Sequence, residues 1–291
     1  MMKISFVIPA YNEEGYIKLC LDAIIREIAG REGYEIIVVD NNSTDKTCEV
    51  VARDYPTVTL IHEPRRGANS AREAGFVASK GDLVAFLDAD TEVTPGWIGR
   101  AERAFAKDPN LVCLSGPFIY YDLPVAIRIL VKIFYGISYI VCLVNNFIFR
   151  NMSIIQGGTE IVRHDALQKI GGHDVKLTFY GDDADLARRL SKVGKVRFSF
   201  NFAIRSSGRR LAKEGMFTMA WRYTLNYWWI TLFSRPFTKT ATEVRFGGDG
   251  LAYRPESRIK EWVLGVAAIV VVAMMAAVVV LLVYGLSRFR L

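Results

Sequence analysis

From Lys3 to about Ser115 the chain alternates short β-branched runs with longer segments of helical period, which restricts it to one class of architecture. A strand followed by a helix and a second strand returns to the same sheet as a parallel neighbour, so the pattern predicts an α/β fold. Its sheet should be mostly parallel and flanked by helices. The expected strands are Ile4 to Ile8, Glu35 to Val39, Val58 to Ile61, Leu83 to Leu87 and Leu111 to Leu114. Between the first two, Ile17, Cys20, Leu21, Ile24, Ile25 and Ile28 recur at helical spacing and form one apolar face. Thr94 and Pro95 read as the N-cap and first position of a helix carrying Trp97, Ile98, Ala101 and Phe105. Further on, Ile154 to Val162 reads as strand and turn, Ala184 to Val193 as a helix stopped by Gly194, and Lys195 to Phe200 as a last short strand.

Open α/β sheets bind ligands beyond the C-terminal ends of their strands, and the polar clusters fall there. They are Pro9 to Glu14 after the first strand, Asp40 to Asp45 after the second, and Asp88-Ala89-Asp90 after the buried run ending in Phe86 and Leu87. Pro9 to Glu14 contains no glycine, which disfavours a dinucleotide-binding turn, and no P-loop is present. In a turn both Asp88 and Asp90 can reach one ion. Such hard oxygen ligands, leaving positions open for phosphate oxygens, suit Mg²⁺ or Mn²⁺.

Hydrophobic residues make up 51% of the chain and the formal net charge is +7, so a lipid-contacting segment and anionic partners are expected. Trp262 to Tyr284 is an uncharged apolar run of spanning length, read as a single transmembrane helix. Arg254, Arg258 and Lys260 precede it. The N-terminus shows no signal peptide, so the catalytic domain is expected on the cytoplasmic side. Ile133 to Phe149 is apolar too and is read as lying in the membrane interface, with a buried helix or a true span as alternatives. The expected division is a catalytic domain over 1–205 with the apolar insertion at 124–150, a basic, aromatic membrane-proximal region over 206–261, the span at 262–284 and a tail at 285–291. Cys20, Cys48, Cys113 and Cys142 show no metal-ligand spacing and read as reduced thiols.

Four segments, SFVIPAYNEE (5–14), VVDNNSTD (38–45), RGANSAREAG (66–75) and AFLDAD (85–90), together resemble the family 2 glycosyltransferases of the GT-A fold. The likeness runs from about Lys3 to Gly194. It implies that Pro9, Ala10, Tyr11, Glu13 and Asp40 hold the nucleotide base and ribose of a nucleotide-diphosphate sugar. By the same resemblance Asp88 holds ribose and metal, Asp90 is the likelier direct metal ligand, and Arg72 lies where it can meet the diphosphate. The family's Glu-Asp signature reads Gly181-Asp182-Asp183-Ala184-Asp185-Leu186, which assigns the catalytic base to Asp183 with Asp182 as a close rival. Gly157-Gly158-Thr159 and Gly171 to Asp174 resemble acceptor-side loops, and His173 is given no catalytic role.

The expected reaction is an inverting transfer to a membrane-associated, lipid-linked acceptor, from a UDP-sugar in the first place and a GDP-sugar in the second. If the acceptor is a polyprenyl phosphate, its oxygen is already ionised and a base matters less. Arg205, Arg209 and Arg210 are expected to engage the donor diphosphate or a lipid-linked phosphate, with membrane lipid headgroups as the alternative partner. Nucleic acid is not among the expected partners. A non-catalytic nucleotide-sugar-binding scaffold and a nucleotidyltransferase are the rival readings.

Overall fold

A computed structural model of the chain describes residues 2–149, 154–177 and 181–233, with isolated positions 237 and 265. Apart from position 265, the expected span at 262–284 therefore lies outside the described residues. In chain order the elements are β1 (Ile4–Ala10), α1 (Ile17–Ile28), β2 (Tyr34–Asp40), α2 (Thr47–Asp54), β3 (Thr59–His62), α3 (Ala68–Ala78), β4 (Leu83–Leu87), β5 (Thr91–Glu92), α4 (Trp97–Lys107), β6 (Leu111–Ser115) and β7 (Phe118–Tyr120). They continue with α5 (Val125–Phe149), β8 (Thr159–Arg163), α6 (His164–Lys169), α7 (Asp182–Leu190), β9 (Lys195–Phe198), β10 (Ile204–Ser206), α8 (Arg209–Glu214) and α9 (Met216–Phe233).

Seven strands form the main sheet in the order β3-β2-β1-β4-β8-β6-β9. All neighbours pair in parallel except β8, which runs antiparallel to both β4 and β6. Because helices cover both faces, the central strands are buried along almost their whole length rather than on alternate residues. On β1, Ile4, Phe6 and Ile8 meet α1 and α4, while Val7 faces Ala71 and Phe76 of α3. The approach of α3 is close: a Cβ on Gly75 would strike the Val7 side chain. A second sheet, β5-β10-β7, crosses the rim where β1, β2 and β4 end.

Two element ends differ from the sequence reading. Helix α4 begins at Trp97, because Gly96 turns the chain at a φ of 73° and the Thr94 hydroxyl donates to the Ala203 carbonyl instead of capping the helix. The strand expected as the last, β9, stops at Phe198, since Phe200–Phe202 coils into a 3₁₀ turn that stacks Phe202 on Trp97 at 4.3 Å, and a further strand, β10, follows it.

Helix α5 is one continuous helix whose segment Val125–Leu143 is long and apolar enough to cross a bilayer and only 11% buried. Its inner side packs Val131 and Phe134 against Leu211, Met216 and Met219 of α8 and α9. Its outer side exposes Val125, Ile129, Ile133, Ile140 and Leu143, a stripe at helical spacing.

Candidate functional site

The loops after β1 and β2 are laced together by backbone-directed bonds. Asn12 and Asn42 adopt left-handed φ values of 54° and 67°, which their short amide side chains tolerate. Asn12 N–H donates to Ser43 Oγ (3.0 Å), Thr44 N–H to Asn12 Oδ1 (2.7 Å), and Glu13 N–H to Thr47 Oγ1 (2.8 Å). Parallel register sets Pro9 beside Val39 and Ala10 beside Asp40. The Asp40 carboxylate receives Ser43 N–H at 3.1 Å and pairs with His62 Nδ1 at 2.9 Å. Burial works against its charge, but the Ser43 and His62 bonds prevail and hold it below its ordinary pKa. Tyr11 lies beneath the Arg66 guanidinium, 4.5 Å from its ring centre.

Asp88 and Asp90 occupy a turn closed by Thr91 N–H on the Asp88 carbonyl (3.1 Å). Arg72 reaches from α3 to bridge Asp88 (3.2 Å) and Asp182 (3.1 Å). Burial opposes the Arg72 charge, yet Asp88, Glu160 and Asp182 raise its pKa above that of an ordinary arginine. Arg209 forms the second bridge, to Glu13 (2.6 Å) and Asp90 (3.1 Å), and stacks 4.6 Å from the Tyr16 ring centre. Burial pushes Asp90 up to about 7, opposed by Arg209 and reinforced by Glu13 and Asp88. Arg210 turns away to Glu214 (3.0 Å) and Arg205 lies 3.7 Å from Glu92, so of the three arginines Arg209 is the one paired with Glu13 and Asp90.

The acid pair Asp182 and Asp183 forms the first turn of α7, behind Gly181 at a φ of 85°. Asp183 Oδ2 accepts Gly157 N–H at 3.0 Å. A Cβ on Gly157 would strike the Asp183 carboxylate, and one on Gly158 the Asp88 carboxylate, so the two adjacent glycines make room for these acids. Burial raises the Asp183 pKa well above the carboxylate range, with Asp182 and Glu160 adding to it and Arg72 opposing. Asp182 is raised by burial as well, against the pull of Arg72.

Two acids escaped the sequence reading. Glu160 is 1% exposed as the second residue of β8, where alternation turns it to the same face as Val162, toward α3 and α7. Burial drives it up to about 7 despite Arg72. Glu73 accepts His173 N–H at 2.7 Å, which assigns His173 to the support of the loop after α6. A lone acid within the apolar β8 run was the available signal for Glu160; Glu73 had none.

The residues fit a divalent cation with a partial protein coordination shell. Among the described residues no three acidic, His or Cys side chains form a complete ligand set. Asp88 and Asp90 supply hard oxygens, Asp88 lies close against Gly158, and Asp90 stands beside the charges of Arg209, Glu13 and Asp88. Phosphate oxygens would complete such a shell, the usual arrangement for Mg²⁺.

Comparison with known proteins finds glycosyltransferases among both sequence relatives and solved structures. The chain is 37% identical to the glycosyltransferase AglE of Haloferax volcanii over 102 residues, covering 33% of each protein. It is 39% identical over 97 residues to a dolichyl-phosphate beta-glucosyltransferase, ALG5A of Trichomonas vaginalis, covering 30% of each. The chain thus spans about a third of the length of these relatives. The solved mannosyltransferase PcManGT of Pyrobaculum calidifontis, in complex with GDP-Man and Mn2+, superimposes with a TM-score of 0.56 at 21% identity, over 78% of this chain and 62% of that one. That likeness establishes the GT-A fold. Residues 5–171, more than half the chain, match the pattern of glycosyl transferase family 2, and the chain belongs to that family.

Proposed function

We propose that the protein transfers a sugar, with inversion, from a nucleotide-diphosphate donor to an acceptor at a membrane surface. The observation that carries this reading is the packing of Asp183 and Asp88 against the adjacent glycines Gly157 and Gly158, with Arg72 bridging Asp88 to Asp182. Pro9, Ala10, Tyr11, Glu13 and Asp40 would hold base and ribose. Asp88 and Asp90 would hold Mg²⁺ or Mn²⁺, which when bound stabilises the negative charge of the leaving diphosphate.

In the proposed reaction an acceptor hydroxyl oxygen bonds to the anomeric carbon as the bond to the diphosphate oxygen breaks. The electron pair leaves with the diphosphate, and the hydroxyl proton passes to Asp183. Burial makes Asp183 more basic than an ordinary carboxylate, which suits proton abstraction. Arg72 fixes Asp182 beside it and Asp88 behind it. Arg209, drawn to the same rim, is the cation positioned to meet the departing diphosphate.

The exposed apolar stripe of α5 supports a membrane-surface location. A second reading, transfer to a polyprenyl phosphate, draws support from that stripe and from the dolichyl-phosphate relative. A panel of UDP- and GDP-sugars with Mn²⁺ and membrane lipid extract, scored for sugar entering the organic phase, tests the proposal. A hydroxyl acceptor predicts that Asp183→Asn lowers transfer about 10²- to 10⁴-fold. An ionised phosphate acceptor predicts a far smaller loss for Asp183→Asn than for Asp90→Asn. Release of pyrophosphate from a nucleoside triphosphate, without sugar transfer, would contradict both.

A further inference from the structure

The stripe of α5 faces outward, but the opposite side of the same helix reaches the catalytic rim through Tyr135. Its hydroxyl donates to Gln156 Oε1 at 2.9 Å and accepts Phe118 N–H at 3.3 Å. Gln156 is anchored on its backbone as well, its N–H donating to Ser115 Oγ at 2.9 Å and its carbonyl accepting from the same hydroxyl at 3.3 Å, and Ser115 is fully buried at the end of β6. The next residue is Gly157, whose N–H holds the Asp183 carboxylate. Bonds from α5 and from β6 thus hold Gln156, the residue whose peptide to Gly157 presents one hydrogen-bond donor to one acid. The tyrosine ring is held independently of its hydroxyl, stacked 6.1 Å from the Phe198 ring.

We infer that Tyr135 is a positioning residue, which sets Asp183 for proton abstraction by fixing the Gln156–Gly157 segment whose amide holds that carboxylate. The inference rests on the reading of Asp183 as the base. Without the Tyr135 hydroxyl the Gln156 side chain loses its partner on α5, and the Gly157 amide is held from the β6 side alone. A shift near 1 Å in a catalytic group costs up to about 10²-fold in rate, so a partial release should cost about 10- to 100-fold. Donor binding should be untouched, because Tyr135 makes no contact with the β1, β2 or β4 loops among the bonds described. The same helix would carry the lipid-facing stripe and the tether of the base loop, joining the membrane surface to the reaction centre through one rigid element.

The test uses Tyr135→Phe, which keeps the stacked ring, and Gln156→Met, which removes the same bond from its other end, so that a folding defect in one leaves the other informative. Each is measured with the full chain for kcat and donor KM, using the nucleotide sugar selected by the panel, and for UDP and GDP binding with Mn²⁺ by calorimetry. Asp183→Asn and the Tyr135→Phe/Asp183→Asn double variant complete a cycle. The expected result is a kcat loss of about 10- to 100-fold in both single variants with donor KM and nucleotide affinity unchanged, and a double variant no slower than Asp183→Asn alone. Full kcat in Tyr135→Phe and Gln156→Met beside an impaired Asp183→Asn overturns the inference and spares the base. Losses that multiply in the double variant overturn it too, since a merely structural tyrosine would act independently of Asp183. An active Asp183→Asn overturns the base assignment itself and the positioning role with it.

Discussion

Arg72 and Arg209 each bridge two acids at the same rim, yet they belong to different parts of the molecule. Arg72 sits inside α3, a helix pressed onto β1 at Gly75, and it joins Asp88 to Asp182. Arg209 is the first residue of the six-residue α8, which packs with α5 and α9 rather than with the main sheet, and it joins Glu13 to Asp90. The comparison separates a charge built into the scaffold from one delivered by the apolar lobe. The first offsets the acids around the proposed base. The second covers the carboxylate expected to meet a cation, so donor and metal binding should exchange Arg209 for a metal ion while leaving Arg72 in place.

Removing Arg72 should have the largest effect, because it strands buried acids without their cation. Arg72→Met is expected to cost about 3–5 kcal/mol in urea unfolding, as for a broken buried ion pair, and to abolish transfer. Arg209→Ala sharpens the contrast: Mn²⁺ binding without nucleotide, followed by electron paramagnetic resonance, should tighten about tenfold once the competing guanidinium is gone, while transfer falls. Unchanged Mn²⁺ affinity would break the comparison, placing both arginines in the scaffold.

The smallest effect concerns pH. Glu160 and Asp90, buried and raised to about 7, keep protons in the folded state that the unfolded chain releases near 4.5 and 3.8. The folded chain therefore binds more protons between about pH 4.5 and 7, and the metal-free protein should lose stability as pH rises through that window. Acids held low, such as Asp40 and Glu63, act in the opposite sense at lower pH. The thermal midpoint should fall by several degrees, and Glu160→Gln should flatten the slope. A midpoint rising with pH would contradict the buried protonated acids.

Much of the rim was legible because its acids stand at strand ends, where apolar runs stop abruptly. Asp40, Asp88 and Asp90 show this, and the parallel pairing of β1, β2 and β4 brings their loops to one side. What could not be read depends on partners far along the chain. Three arginines near residue 205 looked equivalent until α8 directed Arg209 to Asp90 and Arg210 to Glu214. The antiparallel insertion of β8 between β4 and β6 leaves no local mark, yet it buries Glu160 beneath the site. Thr94 looked like a helix cap because its competing acceptor, the Ala203 carbonyl, is remote in sequence.

The central claim is that the acids of this rim bind a divalent cation and a nucleoside diphosphate as one unit. Calorimetric titration of UDP and GDP, with and without Mn²⁺, measures this directly in the wild type and in Asp90→Asn. The account predicts that Mn²⁺ strengthens binding of at least one nucleotide to the wild-type protein and that Asp90→Asn loses this dependence. Nucleotide affinity that ignores Mn²⁺, or that gains equally from it in Asp90→Asn, would contradict it.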